Sequence, residues 1–159
     1  MCILSEYCDR GDLEAYLKNQ NGFLLSETRI KRFILEILLG IAYLHSQDII
    51  HRDLKPSNIF LKGKDYTVQI GDFGIACVNQ TGQTKIEDVG TLLYQSPEIL
   101  FQGVQENGFD PCSNGGGYDN RTDIWSFGCI ILQLCNNDVP FNALNEQRLI
   151  QKIKQMHHR

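Results

Sequence analysis

The chain has 159 residues, of which 42% are hydrophobic, and this suits one globular domain or a large piece of one. Its 15 basic and 19 acidic side chains give a net charge of −4, which argues against a general binder of nucleic acid or of anionic membranes. The charges are interspersed along the sequence, a pattern typical of solvated protein surfaces.

The six cysteines and the apolar stretches bear on where the protein resides. No two cysteines have the CxxC spacing of a zinc site, and several lie within apolar runs, as reduced core cysteines do. Residues 33–44 and 124–134 are too short to cross a bilayer, and the first residues lack the pattern of a signal peptide. We therefore predict an intracellular, cytoplasmic protein with free thiols and without nucleic-acid or membrane partners.

The first half of the chain predicts a strand followed by two helices. The opening MCILSEYC is strand-like, DRGD breaks it, and LEAYLKN predicts a short helix. Apolar residues recur at i, i+3 and i+4 from position 30 to position 44, which predicts a long helix. Ser26 is the predicted N-cap of this helix. Leu35, Leu39 and Ala42 widen its apolar face, which predicts a helix buried on most sides.

The second half predicts a hairpin, an irregular segment and two more helices. Residues 59–61 and 66–70 are apolar runs joined by KGKD, which predicts a β-hairpin. Residues 101–117 are rich in Gly, Asn and Gln and predict an irregular insertion. Helices are predicted at 121–134, almost wholly apolar, and at 145–155. The predicted fold class is α+β, mainly α, and both ends are typical of a cut domain.

The stretch DIIHRDLKPSNIFL concentrates polar groups between apolar flanks. Asp53 lies between Arg52 and Lys55, so its carboxylate is favoured in the ionised form and can accept a proton from a hydroxyl. Lys55 is a mobile charge suited to a phosphate oxygen, and Asn58 offers an amide oxygen to a metal ion. Asp72 follows within GDFG. A base, a cation and two metal-binding oxygens are what phosphoryl transfer requires.

These motifs resemble the catalytic domain of eukaryotic protein kinases. HRDLKPSN matches the catalytic loop, DFG the magnesium motif and SPE the usual APE, while DIWSFG opens the helix beneath the catalytic loop. SEYCDRGDL resembles the hinge between the lobes. The hinge, NIFL and PFNALNEQRLIQKI together resemble the NIMA-related branch. Five motifs in the family's order cover nearly the whole chain.

The resemblance implies a role for each motif residue, with ATP and Mg²⁺ as cofactors. Asp53 is the implied catalytic base, Lys55 a γ-phosphate contact, and Asn58 both a catalytic-loop residue and a magnesium ligand. The implied second magnesium ligand is Asp72. The implied nucleotide-binding residues are Glu6 and Cys8 through their backbones, Asp12 at the ribose, Leu13 and Phe60 under the adenine ring, and Asp72.

The resemblance also implies packing and regulatory roles. His51 and Phe73 are expected to stack toward Asp123, whose carboxylate bonds back to the catalytic loop. Lys55 together with Thr91 in GTLLYQSPE is the pattern of serine/threonine kinases. The implied regulatory residues are Arg52, which receives the activating phosphate in the family, Glu87, which stands where that phosphothreonine usually lies, and Thr81, Thr84 and Thr91. We hypothesise that Glu87 pairs with Arg52; a solvated loop glutamate is the equal alternative.

The same likeness predicts how the domain is divided. Residues 1–13 are the expected hinge region and 14–159 the core of the large, C-terminal lobe, with 101–117 as an insertion. The glycine-rich loop, the strand lysine and the helix glutamate of the small lobe are not found, nor are the last large-lobe helices. We therefore expect a fragment of a kinase with protein substrates, inactive by itself and of unknown oligomeric state. The alternatives are a non-catalytic, pseudokinase-like fragment that binds a protein partner and a small-molecule phosphotransferase.

Overall fold

The computed structural model describes residues 4–20, 22–73, 77–78, 92–102, 120–143 and 145–156. The helices in these ranges are α1 (Leu13–Lys18), α2 (Glu27–Ser46), α3 (Pro97–Gln102), α4 (Arg121–Asn136) and α5 (Glu146–Met156). The strands are β1 (Ile49–Ile50), β2 (Ile59–Lys62), β3 (Thr67–Ile70) and β4 (Cys77–Val78), and a 3₁₀ turn spans Pro56–Asn58. Two antiparallel sheets form, β1 with β4 and β2 with β3. The predicted mainly helical α+β class is confirmed.

Helix α2 is the central support of this structure. The Ser26 hydroxyl accepts a hydrogen bond from the backbone N–H of Arg29 at 3.4 Å, so the predicted N-cap is confirmed. One face packs against β3 and α4. The side chains buried on that face are Phe33, Ile37, Ile41 and Leu44.

The prediction that α2 is buried on most sides is wrong. Leu35 and Leu39 are 56% and 60% exposed, and Ala42 is exposed as well. The physical reason is that the elements in the described ranges pack against one face of α2 only. The apolar residues that widen the stripe lie on the opposite side of the helix.

The predicted hairpin is confirmed as β2 and β3. Its register pairs Ile59 with Ile70 and Lys62 with Thr67. Gly40 of α2 approaches the hairpin closely, since a Cβ atom there would lie 2.7 Å from Cδ1 of Ile70. The hairpin therefore lies directly on the central helix.

The first described residues run alongside the hairpin without forming a strand. Residues 4–8 have no regular structure, so the predicted opening strand is wrong for them. The chain instead meets the edge of β2 at Arg10, whose N–H donates to the Leu61 carbonyl at 3.1 Å, while the Leu61 N–H donates to Gly11 at 2.8 Å. The turn DRGD interrupts the extended run before a longer strand can pair.

Helix α4 confirms the predicted second apolar helix, and α5 the more polar final one. Ile130 and Leu134 are fully buried in the core that α4 shares with α2. Helix α3 corrects one boundary, because residues 101 and 102 of the predicted irregular insertion are its last helical residues. Positions 103–117 lie outside the described residues.

Two further observations concern the cysteines and the helices of the described residues. Cys8, Cys129 and Cys135 are free cysteines. Among the helices in the described ranges, none is long and apolar enough to cross a membrane.

Candidate active site

The side chain of Asp123, in α4, anchors the backbone of the segment between β1 and β2. The Asp123 side chain is 1% exposed, and its Oδ1 accepts the backbone N–H of Arg52 at 2.9 Å. Its Oδ2 accepts the backbone N–H of His51 at 2.9 Å. The expected hydrogen bonds from Asp123 to the catalytic loop are confirmed. They hold Arg52 at a φ of 67°, a conformation that residues other than Gly rarely adopt.

His51 links the two segments that carry the candidate acidic residues. Its ring is fully buried, and Nε2 lies 2.9 Å from the carbonyl oxygen of Gly71. A carbonyl can only accept, so Nε2 carries the proton. The backbone N–H of Asp53 donates to Nδ1 at 3.3 Å, so Nδ1 is the unprotonated nitrogen. One neutral imidazole therefore joins the backbone at Asp53 to the backbone just before Asp72.

Asp53, Lys55 and Asn58, predicted as catalytic residues, converge in the structure. Lys55 Nζ lies 2.9 Å from Oδ2 of Asp53, and the side chains of Lys55 and Asp53 are 20% and 14% exposed. Asn58 Nδ2 donates to the same oxygen at 3.0 Å and to the Asp53 carbonyl at 2.8 Å. An ammonium and an amide therefore both stabilise the negative charge of Asp53.

Asp72 reaches the same region through the hairpin. The N–H of Gly71 donates to the carbonyl of Asn58 at 3.0 Å, so Asp72 directly follows a residue that is bonded to Asn58. Asp72 is exposed, with a φ of 60° that carries strain for a residue with a side chain. The Phe73 ring lies 5.2 Å from the His51 ring, centroid to centroid, as expected for this pair.

The first two predicted nucleotide-binding residues lie where the opening segment meets the hairpin. The Glu6 carboxylate pairs with Lys62 and accepts from Gln69 Nε2 at 2.8 Å, and the Cys8 thiol donates to Gln69 Oε1 at 3.4 Å. Gln69 thus ties both side chains to β3.

Besides Asp72, three further predicted nucleotide-binding residues lie at the start of α1 and on β2. Asp12 Oδ1 caps α1 through the Ala15 N–H at 2.8 Å, and Asp12 forms an isolated bridge to Phe60. Phe60 is half-buried, while Leu13 is fully buried beneath the surface. The structure thus brings Asp12 and Phe60 together next to Leu13.

A cleft of about 430 Å³ opens beside Lys55, the ion-pair partner of Asp53. It is lined by Glu14, Leu17, Lys18, Lys55, Pro56, Ser57, Leu93, Tyr94, Gln133, Asn137, Asp138 and Val139. Burial raises the pKa of the Tyr94 hydroxyl above its ordinary value, and this hydroxyl donates to Gln133 Oε1 at 2.6 Å. The cleft is thus lined by a neutral polar pair, Tyr94 and Gln133, and by Lys55.

The oxygen ligands present suit Mg²⁺. Asn58 uses its Nδ2 to bond Asp53, which leaves the amide oxygen as the end available to a cation. A carboxylate and an amide oxygen are hard ligands of the type that Mg²⁺ prefers, with phosphates and water completing its shell. Within the described ranges, no group of three or more His, Cys, Asp or Glu side chains could hold a metal ion.

One of the five predicted regulatory residues, Arg52, lies within the described ranges. Arg52 is buried next to Asp53. Thr81, Thr84, Glu87 and Thr91 lie outside the described residues, so the pairing of Glu87 with Arg52 stays a prediction.

Comparison with known proteins identifies the class. The protein kinase domain model matches residues 1–159, and the chain belongs to this family. It is 41% identical over 156 residues to human serine/threonine-protein kinase Nek5, and 40% identical over 152 residues to mouse serine/threonine-protein kinase Nek1. These matches cover 98% and 95% of the chain but 20% and 12% of the relatives. A Nek3 from Oryza sativa subsp. japonica is 35% identical over 96% of the chain and 24% of its own length. The predicted likeness to the NIMA-related branch is confirmed.

Sequence reasoning missed two residues of this site. His45 of α2 lies 2.8 Å from Oδ2 of Asp123, and Gln69 of β3 joins Glu6 to Cys8. His45 stands in the last turn of α2, six residues before His51, and nothing in that spacing signals a shared carboxylate. Gln69 is a polar residue within a strand of alternating faces, and nothing in the sequence around it indicates a contact with Glu6 or Cys8.

Proposed function

We propose that these residues belong to a protein kinase that transfers phosphate from ATP, with Mg²⁺, to serine or threonine residues of protein substrates. One observation carries the proposal: Lys55 and Asn58 both bind Oδ2 of Asp53, at 2.9 and 3.0 Å, and Lys55 also lines a cleft. A carboxylate that is positioned in this way has the geometry of a general base. The names of the relatives support serine and threonine as acceptors.

Asp53 orients the acceptor hydroxyl and takes its proton. The bonds to Lys55 and Asn58 converge on Oδ2, so we assign proton acceptance to Oδ1. Lys55 offsets negative charge next to the reacting oxygen. Asn58 and Asp72 hold Mg²⁺, which neutralises charge on the phosphates when it is bound. The cleft between α1, Leu93 and the end of α4 has room for the substrate segment that carries the hydroxyl.

The setting is also a proposal. The thiols of Cys8, Cys129 and Cys135 are free, which supports an intracellular protein. Intracellular ATP and Mg²⁺ are then available to the site.

The test compares Asp53→Asn with Asp48→Asn in the natural protein that carries these residues. Asp53→Asn removes the base while keeping the shape, so we expect phosphate transfer to fall by about 10²–10⁴-fold. Asp48 is an exposed aspartate with a φ of 57°, which asparagine also tolerates, so Asp48→Asn should retain full activity.

The assay follows radiolabelled phosphate from ATP to dephosphorylated casein, with phospho-amino-acid analysis of the product. Label on serine or threonine that disappears only in Asp53→Asn supports the proposal. A wild-type protein that binds a protein partner but transfers no label would instead favour the non-catalytic alternative.

A further inference from the structure

We propose that Gln69 of β3 is a positioning residue of the nucleotide site, acting through Glu6 and Cys8. This inference rests on the proposed function, since the backbone of these two residues is expected to meet ATP. Its structural basis is one amide that bonds two side chains. Nε2 of Gln69 donates to Glu6 Oε2 at 2.8 Å, and the Cys8 thiol donates to Oε1 of Gln69 at 3.4 Å.

The hairpin presents Gln69 on the face that meets the opening segment. Gln69 pairs with Phe60 across the ladder, so the two side chains stand on the same face as each other. Lys62 lies two residues after Phe60 in β2 and shares this face, and its ammonium pairs with the Glu6 carboxylate. Two side chains of one hairpin face, Lys62 and Gln69, therefore both reach Glu6.

The side chain of Gln69 takes the place of backbone pairing for the first described residues. Among the described residues, the first backbone hydrogen bond between this segment and β2 is made by Arg10. Residues 6 and 8 are joined to the hairpin by side chains instead, while Tyr7 between them is 82% exposed. This alternation is typical of an extended chain, whose backbone polar groups point away from its side chains. The amide thus holds the segment without occupying its backbone polar groups.

The second contact of Glu6 with the hairpin is the weaker one. The side chains of Lys62 and Glu6 are 42% and 55% exposed, and water screens an ion pair with this exposure. Gln69 is half-buried, and the ladder of β2 and β3 fixes the strand from which it bonds. We therefore assign the positioning of the segment to Gln69 rather than to Lys62.

The test exchanges the donor and the acceptor between two positions. Gln69→Leu approximately keeps the size of the side chain but removes both bonds. Gln69→Glu keeps the shape, loses the donor and sets a second carboxylate against Glu6. Adding Glu6→Gln to Gln69→Glu restores one amide and one carboxylate in exchanged places. Gln151→Glu makes the same substitution at an exposed residue of α5 and serves as the matched control.

Steady-state kinetics and ADP binding are measured on the natural protein that carries these residues. For Gln69→Leu and Gln69→Glu we expect KM for ATP and Kd for ADP to rise about threefold to tenfold, the usual cost of lost hydrogen bonds. The kcat should stay within about twofold, because Asp53, Lys55 and Asn58 keep their bonds. The double variant should return KM and Kd to within about twofold of the wild type, since it restores the pair.

Alkylation by iodoacetamide, followed by peptide mass spectrometry, reports on the same segment without catalysis. In Gln69→Leu without nucleotide, the Cys8 thiol should react at least about threefold faster than in the wild type, because its acceptor is gone and the segment opens more readily. Cys135 is an exposed free thiol of α4 and provides the internal reference. Its rate should be the same in both proteins.

Each outcome supports or overturns the inference. Unchanged KM, Kd and Cys8 reactivity in Gln69→Leu would overturn it, as would a double variant as impaired as Gln69→Glu. A fall in kcat as large as the rise in KM would also overturn it, because damage to the whole hairpin would then be the cause. If Gln69→Leu fails to fold, Gln69→Glu against the double variant makes the same comparison. If Asp53→Asn keeps full activity, the proposed function fails, yet ADP binding and Cys8 alkylation still decide whether Gln69 positions the segment.

Discussion

Gly71 and Phe60 meet so closely that a single methyl group tests the geometry of the site. A Cβ atom at position 71 would lie 2.8 Å from Cε2 and 2.9 Å from Cδ2 of Phe60. Carbon atoms rest at about 3.5–4.0 Å, so Gly71→Ala must displace either the backbone or the ring.

The hydrogen bonds of Gly71 decide which of the two moves. Its N–H donates to Asn58 at 3.0 Å and its carbonyl accepts from His51 at 2.9 Å. Moving the backbone would weaken both bonds, each worth about 1 kcal/mol. The Phe60 ring is half-buried and can tilt at lower cost. Overpacking costs about 1–3 kcal/mol, so we expect Gly71→Ala to lower the free energy of unfolding by about 1–2 kcal/mol.

Two comparisons make this value specific. Gly128 lies within α4 with no atom near its hypothetical Cβ, so Gly128→Ala should raise the free energy of unfolding by up to about 1 kcal/mol. In a Phe60→Leu background, Gly71→Ala should cost about 1 kcal/mol less than in the wild type, because the clashing ring is gone. Urea unfolding followed by circular dichroism measures all four variants. An equal cost of Gly71→Ala in both backgrounds would refute the contact as the cause.

Two other predictions concern helices α2 and α4. Glu36 accepts from the backbone N–H of Val68 at 2.7 Å and pairs with Arg32 at 2.6 Å. In urea unfolding, Glu36→Ala should therefore lower the free energy of unfolding by about 1–3 kcal/mol, and Glu36→Gln by less than about 1 kcal/mol. Equal costs of the two substitutions would contradict the role of the Val68 bond. Burial raises the pKa of the Cys129 thiol to about 12, so the folded protein keeps its proton while the unfolded chain ionises above pH 9.0. The free energy of unfolding should fall as pH rises from 9.0 toward 12, by up to about 1.4 kcal/mol per pH unit. Between pH 9 and about 10.5, Cys129→Ala should lose about 2 kcal/mol less than the wild type. Parallel losses in the two proteins would exclude the thiol as the source.

Local signals in the sequence predicted most of the fold. Ser26 and the periodic apolar residues located α2, and KGKD located the hairpin, because caps and turns depend on neighbours in the chain. The exposed side of α2 could not be predicted in this way. Leu35 and Leu39 fit a buried face by periodicity, but exposure depends on what packs there in three dimensions.

The same difference between local and long-range contacts applies to the candidate site. HRDLKPSN placed Asp53, Lys55 and Asn58 within six residues of one another, so their convergence follows from the chain itself. The His45–Asp123 bond joins residues 78 positions apart and depends on how α2 crosses α4. No spacing rule covers such a contact, which is why sequence reasoning found Asp123 but not His45.

The hairpin register has a consequence for how the sequence can change. Asn58 precedes β2 and Gly71 follows β3, and the two are joined at the open end of the ladder by the bond of 3.0 Å. Lengthening the turn at 63–66 leaves that end untouched, so insertions there should be tolerated. Deleting one residue within either strand would shift the pairing by one and turn every later side chain to the other face. The two proposed magnesium ligands, Asn58 and Asp72, would then move apart, although neither residue had been substituted.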